Sequence, residues 1–225
     1  MIPSILSFFA SSTLALGADA TEPHPHQGVL TPYVGAPPRP ALSADDLATL
    51  ATGKPVTKQV QTASGTDAAG RGVAVLDIHA ESAVIWDRIL DFPAYPRMVP
   101  NVKECDVYGS AGDTRDVHFV IGAPLVSIEY WIRHEVHVDQ GYMTWRLDYT
   151  RHSDFDDTVG FWRVDPLPDR PGWSRVFYSV DLNAAGWVPP PIEHAFASIG
   201  LTKATAWVAR EAEVAAGTTP EAAAR

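Results

Sequence analysis

Polar side chains alternate with apolar ones along a strand-like run in the second half of the chain. In the run VSIEYWIRHEVHV, residues 126–138, Tyr130 and His134 fall on the same face as three apolar residues. Alternate residues of a strand point to one side of its sheet, so both side chains should point inward together. A buried imidazole with a phenol nearby can orient the carbonyl or hydroxyl of a bound ligand. It can also exchange protons with an enolisable substrate.

Three more polar residues are predicted to face the same interior. Tyr149 alternates in phase with the apolar residues of the next run, Tyr178 lies in the last run, and Lys203 lies on the inner stripe of the final helix. Buried polar groups need partners, so these would satisfy one another or hold a ligand. The predicted apolar wall around them consists of Val117, Phe119, Ile132, Met143, Trp145, Trp162, Phe196 and Ile199.

The sequence contains none of the common signatures of nucleotide, cofactor or zinc-protease chemistry. G-x-S-x-G, the P-loop, G-x-G-x-x-G and H-E-x-x-H are all absent. His134 and His137 would point to opposite faces of a strand and cannot chelate one ion together. The pair His24 and His26 could bind a metal loosely, but a solvated linker is the favoured interpretation. We predict no metal and no cofactor, and we favour binding over catalysis because no activated nucleophile or paired carboxylates stand out.

Composition limits the classes of partner. The 225 residues carry a formal net charge of −10, which disfavours nucleic acid and anionic lipid surfaces. The hydrophobic fraction of 46% allows one sizeable core, so one domain with appended segments is expected. Cys105 is the only cysteine, which excludes an internal disulfide. An acidic monomer is the expected state.

The ends of the chain are predicted to lie outside the main domain. Residues 1–20 contain an uncharged apolar stretch that ends near a small-x-small pattern, which indicates a signal peptide and a secreted, periplasmic or organelle-lumen protein. Without cleavage the protein would be cytoplasmic, and no later stretch is long enough to span a membrane. Residues 21–72 read as a Pro-rich linker with a short helix and strand, and residues 215–225 as a disordered tail.

The elements between these ends predict an α+β fold. Ser43 caps a short helix, residues 73–80 form a strand, and Ser82 caps a helix that runs to Asp91. Short turn-like separators then join six strand-like runs, which predicts an antiparallel meander. A long helix follows at about 192–214. We expect a curved sheet wrapped around this helix, with a ligand cavity in the gap between them. The six runs are 101–109, 114–122, 125–139, 142–150, 158–165 and 174–182.

The run VAVLDIHAESAVIWDRILDFPAYPRMVPNV, residues 73–102, resembles the opening of a known family. Its strand, its Trp86-containing helix and its Asp91-Phe92-x-x-Tyr95-Pro96 turn are similar to the polyketide cyclase/dehydrase and coenzyme-Q-binding branch of the START-like (SRPBCC) superfamily. The resemblance covers about residues 73–213, within a ligand-binding domain expected at 73–214, and implies a helix-grip fold and a lipid-, quinone- or polyketide-like ligand.

Three hypotheses for function remain open at this stage. A carrier requires a mostly apolar cavity with few polar contacts. A cyclase- or dehydratase-type enzyme requires His134 and Tyr130 within hydrogen-bond reach of each other and facing open volume. A binding module that acts through the Pro-rich arm requires a cavity already filled by the protein's own aromatic rings.

Overall fold

The protein is built on one antiparallel sheet of eight strands. The computed structural model describes residues 17–60, 71–123, 126–183 and 200–218. Strand order across the sheet is β1-β2-β8-β7-β6-β5-β4-β3, so β3 to β8 form an uninterrupted meander and β2 pairs with β8. The predicted antiparallel meander is confirmed. The strands are β1 (Val56–Val60), β2 (Arg71–Ile78), β3 (Val102–Ala111), β4 (Thr114–Ala123), β5 (Val126–His137), β6 (Tyr142–Leu147), β7 (Asp157–Pro166) and β8 (Ser174–Asn183).

Four α-helices accompany the sheet within the described residues. They are α1 (Ala44–Ala51), α2 (Ser82–Ile89), α3 (Tyr95–Met98) and α4 (Gly200–Ala216), with 3-10 turns at Phe92–Ala94 and Val138–Gln140. The Ser43 cap is confirmed: its hydroxyl accepts from the Asp46 amide, and the Asp46 carboxylate accepts from the Ser43 amide. The cap of α2 differs from the prediction. Ser82 is already the first residue of the helix, so Glu81 is the N-cap. The Glu81 side chain makes no capping hydrogen bond.

The inner face of the sheet packs against α2, α3 and α4. Trp86, Phe92, Tyr95 and Trp207 belong to one buried cluster with the inward residues of β2 and of β3 to β8. The Tyr95 hydroxyl donates to the Ile89 carbonyl at 2.6 Å, which ties α3 to the end of α2. A curved sheet closed by a C-terminal helix is the predicted α+β helix-grip fold, and this prediction is confirmed.

The outer face of the sheet is covered by the N-terminal segment, which we call the strap (residues 17–42). A second buried cluster joins Leu50 of α1 to Phe161 and Phe177, and the Tyr33 ring packs edge-on against Phe161 at 4.9 Å. The sequence predicted a solvated linker here. An extended proline-rich chain has few amide donors to satisfy, so it can lie flat on a sheet once its remaining donors find acceptors.

Some predicted features lie outside the described residues. These are the leader up to residue 16, most of the turn at 63–72, the first part of the final helix with Phe196 and Ile199, and the tail after 218. Lys203 lies within α4, but its side chain also lies outside the description. Among the described helices, none has both the length and the apolar composition needed to cross a bilayer.

Candidate functional site

His134 is a buried imidazole at the centre of the inner face. It lies on β5 and is only 4% exposed, surrounded by the rings of Phe92, Phe119 and Trp145 at 5.0 to 6.4 Å. Its Nδ1 is 3.3 Å from the Arg115 carbonyl oxygen. Because a carbonyl can only accept, Nδ1 must carry the hydrogen in the neutral ring. The lone pair of Nε2 is therefore left as an acceptor, with no protein donor among the described residues.

The surroundings keep His134 uncharged at neutral pH. Burial among aromatic rings lowers its pKa to about 4, against the opposing effects of the Arg115 bond and the Asp116 charge. A neutral imidazole with one nitrogen fixed can accept a hydrogen bond from a ligand hydroxyl. It can also take a proton from a carbon acid.

Two tyrosines add hydroxyl groups to the same face. Tyr130 stacks on Phe119 across the β4–β5 pair, with ring centroids 5.2 Å apart, and Tyr178 packs on Trp162 at 4.3 Å. Neither hydroxyl has a hydrogen-bond partner among the described residues. Burial raises the pKa of both phenols, so both stay protonated and can donate.

His134 and Tyr130 do not form the pair that the enzyme hypothesis requires. They lie on one strand four residues apart, a separation of about 13 Å along an antiparallel strand. No hydrogen bond joins them, and among the described residues the imidazole bonds only to Arg115. The two groups could act on separate points of one extended ligand, but they do not act as a relay.

The apolar wall is brought together largely as the alternation predicts. Six of the eight predicted wall residues share one buried cluster, and the other two lie outside the described residues. Trp145 fits against the sheet because Gly160 lies directly opposite it on β7; a Cβ at Gly160 would collide with the indole ring and the Ser179 carbonyl. The six are Val117, Phe119, Ile132, Met143, Trp145 and Trp162.

Tyr149 is not part of this face, contrary to the prediction. Strand β6 ends at Leu147, and the Asp148 carboxylate then accepts bonds from the Thr150 amide and hydroxyl. This local turn breaks the alternation one residue before Tyr149. The Tyr149 hydroxyl donates to Asp157 at 2.9 Å, and its ring lies beside the strap.

Phe155 and Trp86 reach the inner face without having been predicted as ligand contacts. Phe155, 3% exposed, packs on Tyr130 with ring centroids 4.9 Å apart. A phenylalanine between acidic residues in a turn could have indicated this contact, because a large apolar side chain is usually buried and not exposed in a solvated turn. Trp86 is buried, and its indole N–H has no acceptor among the described residues. Nothing in the sequence around Trp86 predicted this N–H without an acceptor.

Within the part of the chain that the structure describes, two groups of side chains outside the inner face are close enough to consider as metal ligands. His24, His26 and Asp156 form one group at the strap, and Glu104, Asp106 and His118 form the other on the β3–β4 pair. In the second group His118 is already engaged with the Glu129 carboxylate at 2.7 Å, and both acidic residues are exposed.

A family model described as polyketide cyclase/dehydrase and lipid transport matches residues 69–213. The chain belongs to this family. The match confirms the resemblance read from residues 73–102 and covers both the inner face and α4. No curated protein sequence matches the chain.

Solved structures show the same fold at low identity. The Zhui aromatase/cyclase from Streptomyces sp. R1128 has a TM-score of 0.52 at 13% identity, covering 73% of this chain and all (100%) of that one. The STAR-related lipid transfer protein from Xanthomonas axonopodis has a TM-score of 0.54 at 12% identity, covering 70% and 98%. TTHA0849 from Thermus thermophilus has a TM-score of 0.53 at 14% identity, covering 65% and 98%. The strap and α1 precede the matched region.

Proposed function

We propose that the protein binds a small hydrophobic ligand, of lipid, quinone or polyketide type, between the inner face of the sheet and α4 and acts as its carrier. The observation that carries this proposal is the composition of the inner face. Aromatic and aliphatic side chains surround three polar groups, on His134, Tyr130 and Tyr178, that have no mutual hydrogen bonds. Family membership supports the same class of ligand.

The polar groups limit the chemistry of the ligand. His134 offers an acceptor, and the two tyrosines offer donors, all in surroundings that exclude charge. A ligand with an apolar body, a hydroxyl for His134 and a carbonyl oxygen for each tyrosine would satisfy all three. A partly reduced polyketide carries both kinds of oxygen at the edge of an apolar framework. A quinone supplies the carbonyl oxygens for the tyrosines, and its reduced quinol form supplies hydroxyls.

The test is native mass spectrometry of the full chain purified from cells, followed by extraction and identification of the passenger. We expect a stoichiometric apolar molecule. Ile132→Trp adds bulk to the inner face and should remove the passenger, whereas Glu135→Trp places the same ring on the exposed outer side of the same strand and should not. Thermal unfolding of both variants shows that they are folded. Equal occupancy in the two variants would contradict a site on the inner face.

A cyclase- or dehydratase-type enzyme is the second candidate, favoured by one observation. The neutral, tautomer-fixed imidazole of His134 has a nitrogen with no donor among the described residues and is available to take a proton from an enolisable carbon, although its lowered pKa makes it a weaker base than a free histidine. His134→Gln keeps a polar side chain without the base. If turnover of a polyketide-like substrate is found, this variant should reduce kcat by about 100-fold or more. Retained turnover would leave His134 as a binding residue.

A further inference from the structure

The strap is held on the sheet by the β6–β7 loop (residues 148–156). Asp19 and His152 exchange two backbone hydrogen bonds of 2.8 and 3.0 Å, and the His24 amide donates to the Tyr149 carbonyl at 3.1 Å. These bonds make the loop the main anchor of the first part of the strap.

His24 uses both ring nitrogens in this anchor. The residue is 6% exposed, its Nε2 is 2.8 Å from the Asp156 carbonyl oxygen, and the Ser153 amide donates to its Nδ1 at 3.4 Å. The carbonyl requires a hydrogen on Nε2, and the amide requires a lone pair on Nδ1. The docked strap therefore selects the neutral ring. A second proton would place Nδ1–H against the Ser153 N–H.

We propose that His24 is an acid-sensitive latch whose protonation releases the strap from the β6–β7 loop. Other groups around the ring act in both directions. The neighbouring rings of His26 and His152 disfavour a charge on His24, while the Asp156 carboxylate favours it. The Tyr149 ring on the remaining side is neutral and engaged with Asp157.

Burial sets the direction of the effect. It lowers the pKa of His24 below the usual 6.5 of a free histidine. Docking is then fully favoured above pH 6.5 and weakens as the pH falls from 6.5 toward the lowered value, because the free strap takes up the proton more readily.

His26 is a poor trigger although it lies next to His24. Its Nδ1 accepts from the Gly28 amide at 3.0 Å, and its Nε2 donates to the Asp156 carboxylate at 3.0 Å. A second proton would remove the first bond and strengthen the second. Three other carboxylates of the described residues also hold the strap: Asp154 accepts from the Ala18 amide, Asp157 from the Val29 and Leu30 amides, and Asp165 from the Arg39 guanidinium. Burial raises the pKa of Asp154, so a control for its protonation is needed.

One group of three residues at the latch is a weak candidate for a metal site. His24, His26 and Asp156 are close enough together for one ion. However, a ligating histidine usually donates a hydrogen bond from its other nitrogen. Both Nδ1 atoms here accept from backbone amides, which is the opposite polarity. The hydrogen bonds therefore favour a proton-sensitive contact over a metal centre.

The loop connects this latch to the inner face. The segment around Ser153 and Asp156 holds His24 on the outer side, and Phe155 between them packs against Tyr130 on the inner side. Release of the strap should therefore loosen the contact of Phe155 with Tyr130 and weaken ligand retention. This consequence, unlike the latch itself, rests on the proposed function.

Amide hydrogen exchange of the full chain, followed by NMR at pH 7.5, 6.5 and 5.5, tests the latch. Protection factors relative to the intrinsic rate at each pH should fall for the His24, Val29 and Ser153 amides. The fall should approach tenfold per pH unit below 6.5, the limit for one proton. His24→Gln can still donate to the Asp156 carbonyl but cannot titrate, so its protection should stay nearly constant. His26→Gln is the matched control and should retain the fall.

Three results would overturn the latch. These are constant protection in the unmodified protein, an undiminished fall in His24→Gln, which would point to Asp154, and protection at pH 7.5 that depends on added Zn²⁺. Native mass spectrometry at pH 7.5 and 5.5 separates the two proposals. No passenger at either pH contradicts the proposed function alone. Strap release with unchanged passenger occupancy overturns only the coupling through Phe155.

Discussion

His134 combines a fixed tautomer with a second ring nitrogen that, among the described residues, has no donor and lies in apolar surroundings. Its pKa of about 4 in the folded chain lies below the usual 6.5 of an unfolded histidine. The neutral ring therefore contributes stability that is fully present above pH 6.5. That stability is lost as the pH falls from 6.5 toward 4, because the unfolded chain binds the proton first.

We expect His134→Gln to reduce the acid sensitivity of folding. Between pH 7.5 and 5.0 the native protein should lose about 2 kcal/mol of unfolding free energy through this residue. Urea unfolding at the two pH values measures the loss in each protein. His118→Gln is a suitable control, because that imidazole is partly exposed and pairs with Glu129. If His134→Gln loses as much stability as the native protein, the buried ring is not neutral.

At the scale of elements, a buried carboxylate joins β2 to β8. Asp77 accepts from Nε and Nη2 of Arg175 at 2.7 and 2.9 Å and from Arg170 at 3.3 Å, and its side chain is 2% exposed. Removing one partner of a buried pair leaves the other charge without compensation. The β2–β8 pair also joins β1 and β2 to the meander beside α4, so a loss there should affect the whole domain.

Asp77→Ala should therefore lower the free energy of unfolding by about 3 kcal/mol. Asp113→Ala is the matched control: that carboxylate pairs with His137 at 3.8 Å and its side chain is 76% exposed. The control should change stability by less than about 0.5 kcal/mol. Urea unfolding at neutral pH measures both. Similar losses in the two variants would show that burial does not set the contribution of the Asp77 pair.

The sequence predicted the inward-facing side chains correctly where strand alternation was not interrupted by a local side-chain hydrogen bond. Alternation placed Tyr130, His134 and Trp145 on one face because their strands are covered by helices on that side. It failed at Tyr149, where the side chain of Asp148 forms a competing local turn. Face assignment by alternation holds only while the strand continues.

The packing of the strap on the sheet could not be predicted, because the composition of a segment does not show which distant residues lie beside it in the fold. A Pro-rich segment looks the same whether water or a sheet lies beside it. The acceptors that hold it, the Tyr149 and Asp156 carbonyls and the Asp157 carboxylate, are more than 120 residues away in sequence. Only the fold brings them under the strap.

At the scale of the whole molecule, the sheet has two covered faces with different roles. Helices and the candidate ligand site occupy the inner face, and the strap and α1 cover the outer face. Tyr33 joins the strap to the outer cluster: its ring packs on Phe161, its hydroxyl lies 3.3 Å from Ser179 Oγ, and the Arg71 guanidinium lies 5.2 Å from its centroid. If the strap is an integral layer of the fold, removing its contacts should destabilise the domain, although these contacts lie on the face opposite the candidate ligand site.

Tyr33→Ala should lower the free energy of unfolding by about 2 kcal/mol, because it removes a partly buried ring and uncovers Phe161. The adjacent Val34→Ala is the matched control, since Val34 is 93% exposed and should change stability by less than about 0.5 kcal/mol. Urea unfolding measures both variants, and native mass spectrometry should find equal passenger occupancy in both at neutral pH. Equal stability of the two variants would mean that the contacts of Tyr33 with the sheet do not contribute to the free energy of unfolding. A passenger lost in Tyr33→Ala but kept in Val34→Ala would mean that the two faces are coupled even without acid.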